Sequence, residues 1–394
     1  MERHILGSTD KAVIVALIVL GVLGFVLWER TRDVAERVSV PVDTSAGIGE
    51  ETTREDGADV TQKAVSVVAE NLAIPWEVAF LPDGGMLVTE RPGMLKRIGA
   101  DGVTLPIDGV RHTGEGGLLG MALHPRFGEN GWIYLYLTTA ADGGLVNRVE
   151  RYRLEGNDLK ERALILGGIP GAIYHDGGRI AFGPDGYLYI ATGDATRESL
   201  AQDRTSLAGK ILRVRDDGSI PDDNPFGTAV YSYGHRNVQG LAWDESGNLW
   251  ATEHGRSGLR SGYDELNRIE KGGNYGWPDI EGDERRDGMT TPVIHSGATT
   301  TWAPSGAAYL DGSVFFSGLR GESLYEAKLD ADRNGVRELR VHFKGEYGRI
   351  RAVVVGPYGY LFLSTSNTDG RGNSRTGDDR ILKVNPEEVS SLQR

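Results

Sequence analysis

The sequence predicts an all-β fold, a six-bladed β-propeller spanning residues 65–386, and three observations lead there. One short hairpin pattern recurs six times along the chain. Its copies are spaced by about 55 residues, close to the period of a propeller blade with room for loops. Glycine is abundant at 56 residues, with 15 Tyr and 7 Trp, a balance that favours turns and strands over long helices.

The copies run in order. FLPDGGMLVTE surrounds Asp83, ENGWIYLYLT surrounds Asn130, and FGPDGYLYIATGD surrounds Asp185. WDESGNLWATEH follows at Ser246, YLDGSVFFSG at Asp311 and VGPYGYLFLSTS at Tyr358. Each is a tight polar turn feeding an apolar strand, the pattern of a hairpin. A pair of packed sheets would not explain one hairpin repeated six times. Loops at one face of such a ring are where a binding site is expected.

The segments outside the ring read differently. Residues 1–11 form a short tail, and residues 12–28, AVIVALIVLGVLGFVLW, are uncharged throughout. As a helix they reach roughly 26 Å, enough for a bilayer core with flanking residues snorkelling. No small-residue cleavage site follows, because Trp28-Glu29-Arg30 closes the run, so a retained transmembrane anchor is expected. Residues 29–64 are polar without period and read as a flexible linker; residues 387–394 read as a C-terminal tail. The expected location is membrane-anchored with the propeller outside the cytoplasm. The charge count alone favours the reverse, with Arg3 and Lys11 before the span and Arg30, Arg32 and Arg37 after it.

The absence of cysteine excludes disulfides, thiolate metal sites and Cys nucleophiles. A net charge of −13 argues against a nucleic-acid partner, which draws on clustered Lys and Arg. A monomer is expected.

Chemistry-bearing residues gather in the inter-strand loops. Glu115 stands in the Gly-flanked turn HTGEGG; His175 and Asp176 precede a strand. The stretch from Tyr231 to Pro278 holds Arg236, Asn237, Glu253, His254, Asp264 and Glu265. Arg320, Arg349 and Arg351 lie further on. Four arginines converging on one axis would repel one another unless a polyanion sits among them, since guanidinium stays charged and forks onto carboxylates. Four unrelated solvated arginines are the plain alternative. Asp264 and Glu265 offer hard oxygen ligands for Ca²⁺, or simply an acidic turn. His175 has the chemistry of a general base, or of a hydrogen-bonded loop histidine.

Taken together and in order, HDGGRIAFGPDGYLYIATGD, AGKILRVRDDGSIPDDNPF, YGHRNVQGLA, TEHG, DELN and GGNYGWP resemble the pyrroloquinoline quinone (PQQ)-dependent glucose/sorbosone dehydrogenase family, in particular its soluble aldose sugar dehydrogenases. The resemblance covers roughly residues 66–386 and implies a six-bladed propeller with PQQ and Ca²⁺ as cofactors. It implies oxidation of the anomeric carbon of an aldose to a lactone, with hydride passing to the quinone and electrons then to an acceptor the sequence does not name. His175 would take the proton from the anomeric hydroxyl. Arg236 and Asn237 would contact the quinone, with Glu115 beside it, and Arg320, Arg349 and Arg351 would neutralise its carboxylates. Main-chain carbonyls of Gly255 and Arg256 would hold a catalytic Ca²⁺; the Glu265 side chain and the Tyr275 carbonyl would hold a structural one. The chain departs from the pattern at Glu115, where the glucose-dehydrogenase branch has Gln, at Arg256 and Val238, each in place of Pro, and at Tyr174, where an Asp often precedes the histidine. Two other functions stand beside the enzyme: a non-enzymatic propeller binding a glycan or protein, and a Ca²⁺-dependent lactonase.

Overall fold

The computed structural model describes residues 64–99, 102–258 and 261–391. Among them are six four-stranded antiparallel sheets, arranged as the blades of a propeller. The first blade comprises Pro75–Phe80, Met86–Glu90, Met94–Ile98 and Val103–Pro106, and the second Leu118–Leu123, Trp132–Ala141, Gly144–Glu155 and Asp158–Pro170. Ile180–Phe182, Leu188–Ala191, Lys210–Val214 and Val230–Tyr233 form the third, and Val238–Trp243, Leu249–Glu253, Glu265–Ile269 and Ile294–His295 the fourth. The fifth holds Pro304–Leu310, Ser313–Gly318, Ser323–Leu329 and Val336–His342. The sixth is assembled from both ends of the domain: Ile350–Val355, Leu361–Thr365 and Ile381–Val384 are completed by Val65–Ala69.

All six hairpins read from the sequence fall at one structural position, the turn between the first and second strand of a blade. The closing pairs are Phe80↔Met86, Leu123↔Ile133, Phe182↔Leu188, Trp243↔Leu249, Leu310↔Ser313 and Val355↔Leu361. The second strands are near-continuous buried runs, such as Met86–Glu90 and Leu361–Thr365, because each is covered on both faces by neighbouring blades.

The apolar core is correspondingly a ring. Leu87, Leu118 and Ile133 pack between the first and second blades, and Tyr189, Val238 and Leu249 between the third and fourth. Trp250, Val314 and Phe316 fill the next interface, and Val78, Val88 and Phe362 join the sixth blade to the first. After the last strand, Pro386–Ser391 forms a short helix, started by the Asn385 side chain accepting from the Glu387 amide at 3.2 Å. Its Val389 is buried in the cluster of the fifth and sixth blades. Among the described residues no helix is long and apolar enough to cross a membrane; the proposed span 12–28 and the linker lie outside the described residues.

Candidate active site

Antiparallel pairing brings the start of each blade's first strand and the end of its second to the same end of the ring. The loops entering Leu118, Ile180, Val238, Pro304 and Ile350 therefore meet those leaving Ala191, Glu253, Gly318 and Thr365. Between them lies a cavity of about 340 Å³, lined in part by Glu115, His175, Gly255, Arg256, Arg320 and Arg349. Six of the residues expected from the sequence thus share one cavity, contributed by blades two to six. A second cavity, of about 400 Å³ on the fifth blade, shares none of them.

His175 is held at three points. Its ring Nδ1 lies 2.8 Å from Asp194 Oδ1, its amide donates to Glu115 Oε2 at 2.9 Å, and its carbonyl accepts from the Ala195 amide at 3.2 Å. Its backbone is left-handed, with φ +64°, a conformation that a non-glycine residue keeps only when its surroundings impose it. Gly193 permits the approach: a Cβ there would stand 1.9 Å from the His175 carbonyl oxygen. Asp194 is fully buried and accepts three side-on contacts, from the histidine ring, from the Thr196 amide at 2.7 Å, and from Trp277 Nε1 at 2.9 Å. Tyr174 therefore need not orient the histidine; Asp194 does so from the loop after the second strand of the third blade.

Glu115 is paired, which answers the question its charge raises. Arg371 Nη1 lies 2.8 Å from its Oε1. Burial works to raise the carboxyl, but the His175 amide, His254 and Arg371 outweigh it and hold it down at about 2. The group is ionised at neutral pH.

The arginines divide by depth. Arg320 is exposed at the rim, with Nη1 on Ser261 Oγ at 3.0 Å. Arg349 is buried and grips Asp369 Oδ2 through Nε at 3.1 Å and Nη2 at 2.9 Å. Burial raises the Asp369 carboxyl, yet Arg349 and Arg351 overcome it and keep it below the usual carboxylate range. Arg351 lies deeper, in a narrow pocket with Trp76, Gln239 and His254, and its guanidinium sits 5.7 Å from the Trp76 ring. Burial first, and then repulsion from Arg91 and Arg349, lower it to about 9. Arg236 stands behind the wall, with Nη2 on Ser257 Oγ at 3.2 Å and its guanidinium 5.4 Å from Trp277; burial lowers it as well. Asn237 is fully buried, its Oδ1 accepting from the Gly177 amide at 3.0 Å while its Nδ2 lacks a protein partner. Buried guanidinium groups held below their ordinary proton affinity, beside a spare amide donor, fit a small polyanion.

The residues expected to hold calcium split into two places. Gly255 and Arg256 border the cavity. The Gly255 amide donates to Asp264 Oδ1 at 2.9 Å, the Arg256 carbonyl accepts from Gly262 at 3.2 Å, and the Arg256 side chain turns away to Glu281 and the Trp277 ring. Glu265 and Tyr275 lie behind, inside the fourth blade. Glu265 is the cross-strand partner of Glu253, and burial together with that charge pushes its carboxyl up to about 8. Glu253 bonds His235 Nδ1 at 2.8 Å, and the Tyr275 ring stacks on His235 at 4.7 Å. A buried and a half-buried carboxylate facing each other across two strands fit a divalent cation. Asp264 is otherwise engaged: its oxygens accept from Gly255, Thr301, Trp302 and Ala303. Among the described residues no three His, Asp or Glu side chains are grouped to hold a metal, so an ion here would draw on main-chain oxygens.

Four residues of the site were not singled out as such from the sequence. Asp194 ends the string ATGD, which in sequence reads as the close of a hairpin. Trp277 stood in GGNYGWP. His254, whose buried Nε2 lacks a protein partner and which borders both pockets, is in sequence one of many polar residues in a dense segment. Arg371 sits in the Gly-rich loop RGNSRTG, where no local pattern marks it.

Known proteins share this architecture. The PQQ-bound form of an aldose sugar dehydrogenase from Streptomyces coelicolor superposes with a TM-score of 0.76 at 43% identity, covering 81% of this chain and 97% of that one. The aldose sugar dehydrogenase YliI of Escherichia coli is 33% identical over 358 residues, 82% of this chain and 92% of its own length. Quinoprotein glucose dehydrogenase B of Acinetobacter calcoaceticus is 34% identical over 254 residues, 55% of this chain and 52% of its own. The family model for glucose/sorbosone dehydrogenases matches residues 72–376. That span takes in the first strand of the first blade, Glu115, His175, Asp194 and Arg371, and this chain belongs to the glucose/sorbosone dehydrogenase family.

Proposed function

We propose that the chain is a PQQ- and Ca²⁺-dependent dehydrogenase that oxidises the anomeric carbon of aldose sugars to lactones, with His175 as the general base. The observation that carries the reading is His175, oriented by a buried carboxylate and bordering the same cavity as Arg320 and Arg349. With Nδ1–H given to Asp194, Nε2 is the acceptor that takes the proton of the anomeric hydroxyl. Asp194 then stabilises the imidazolium that forms. When bound, PQQ supplies a hydride acceptor and Ca²⁺ a Lewis acid that polarises it. Arg320, Arg349 and Arg351 would hold the carboxylates of the cofactor, and Arg236 and Asn237 would contact its quinone. Gly255 and Arg256 would offer carbonyl oxygens to the catalytic ion, and the Glu265 side chain with the Tyr275 carbonyl would hold the structural one. Residues 12–28 anchor the chain in a membrane, with the propeller outside the cytoplasm.

The test is reconstitution. Calcium-loaded protein titrated with PQQ should show a saturable absorbance change, then aldose-dependent reduction of a dye. Saturable PQQ binding without turnover on any of a broad panel of aldoses would overturn the reading. Hydrolysis of a lactone without added quinone would favour the lactonase in its place.

A further inference from the structure

We infer that Glu115 is a positioning residue for His175, kept in that role by Arg371, and that it is not a cofactor ligand. The inference rests on the reading of His175 as the base. Both Glu115 oxygens are directed at protein groups: Oε2 accepts the His175 amide at 2.9 Å and Oε1 faces Arg371 Nη1 at 2.8 Å. The two loops are also joined backbone to backbone, because the Glu115 amide donates to the Ile173 carbonyl at 2.8 Å. They meet so closely that a Cβ on Gly114 would stand 2.0 Å from that carbonyl oxygen. Ile173 to His175 is thus clamped at both ends by Glu115, once through its main chain and once through its side chain.

The clamp acts where the backbone is under strain. A left-handed backbone is unfavourable for a non-glycine residue, and His175 carries φ +64°. An amide that donates to an ionised acceptor is held more firmly than one donating to a neutral group. With the amide fixed by Glu115, the carbonyl by Ala195 and the ring by Asp194, the imidazole has one direction. Arg371 comes from the sixth blade, 256 residues along the chain, and its guanidinium also lies 5.5 Å from the Tyr174 ring. It cancels the charge of Glu115 at the cavity wall, so a carboxylate can serve as the clamp without repelling an anionic cofactor.

The experiment compares wild type with Glu115→Ala, Glu115→Gln and Arg371→Ala. Each is measured by PQQ titration, by kcat and KM for an aldose, and by NMR of the His175 imidazole in the apo-protein. Glu115→Ala should lower kcat by ~10–100-fold, the scale of a misplaced catalytic group, while the PQQ Kd changes less than about 3-fold, a 0.7 kcal/mol effect. The His175 resonances should shift or broaden in the same variant. Glu115→Gln keeps one acceptor oxygen for the amide and should recover most of the kcat and the wild-type resonances. Arg371→Ala should weaken PQQ binding, by leaving Glu115 unbalanced, more than Glu115→Ala does. A PQQ Kd raised tenfold or more in Glu115→Ala, with His175 resonances unmoved, would overturn the inference and make Glu115 a ligand. Failure of the wild type to bind PQQ would sink the dehydrogenase reading alone, because the resonance changes and their rescue by Gln still decide the role of Glu115.

Discussion

Every group that faces Asp194 is a donor: the His175 ring, the Thr196 amide and the Trp277 indole. An ionised carboxylate satisfies all three, whereas the amide of Asp194→Asn must turn its NH₂ toward one of them. If the histidine gives way, it flips to the tautomer whose unprotonated nitrogen is Nδ1, and the proposed base at Nε2 is lost. The expected outcome is a fall in kcat on the order of 10²-fold or more, with PQQ affinity close to wild type. An unchanged kcat would show that the ring is oriented by something else. His175→Ala should abolish turnover and leave PQQ titration largely intact; loss of binding with an unchanged rate per bound cofactor would contradict its role. At this scale the sequence was legible where one residue type has one strong chemistry, as with His175 and Arg349. It was opaque where a role depends on meeting a residue from another blade. Nothing local distinguishes Asp194 from a turn aspartate, or Arg371 from a solvated one, until 19 and 256 residues of separation close.

The loop between the second and third strands of the third blade carries Asp194 at its start and is fastened at its end by Lys210. The ammonium of Lys210 is buried and donates to the carbonyls of Leu200 at 2.7 Å, Ala201 at 3.0 Å and Ala208 at 2.7 Å. Burial lowers its pKa to about 7, while the unfolded chain keeps that proton to about 10.4. Between pH 7 and 10 the unfolded state therefore binds more protons at this site, and Lys210 makes stability rise with pH across that window. In urea unfolding, the wild type should gain on Lys210→Met by up to about 1 kcal/mol per pH unit from pH 7 to pH 10. A difference that stays flat with pH contradicts the buried, proton-shedding lysine. Elements were legible in proportion to their burial. The second strands, covered on both faces, announced all six blades, but the outermost strands did not. Val103–Pro106 and Val336–His342 alternate or mix exposed and half-buried residues because one edge meets solvent, and such short, polar edges resemble loops in sequence.

A ring of blades has no natural end, and this one closes by non-local pairing. Val65–Ala69 is the outer strand of the sixth blade, paired with Ile381–Val384 through Val65↔Val384, Ser66↔Lys383, Val67↔Leu382 and Ala69↔Ile381. The N-terminal strand of the propeller thus fastens the last blade, whose Phe362 and Ile381 pack with Val78 and Val88 of the first. Arg349 immediately precedes the first strand of that same blade, and its partner Asp369 follows the second. Two truncations separate the propeller from what precedes it. Removing residues 1–63 takes away no strand of any blade and should leave the melting temperature within about 1 °C. Removing residues 1–70 exposes the edge of Ile381–Val384 and uncovers Leu382 and Val384, both fully buried. The loss should be about 2–4 kcal/mol, from apolar area returned to water and a row of unpaired backbone groups, or a fall of about 5 °C or more. Because Arg349 and Arg351 stand on the loosened blade, PQQ titration should weaken in the longer truncation and not in the shorter. Equal melting temperatures for the two would mean that the blade holds without its fourth strand, and that ring closure lies in the apolar interface rather than in the strand that completes it.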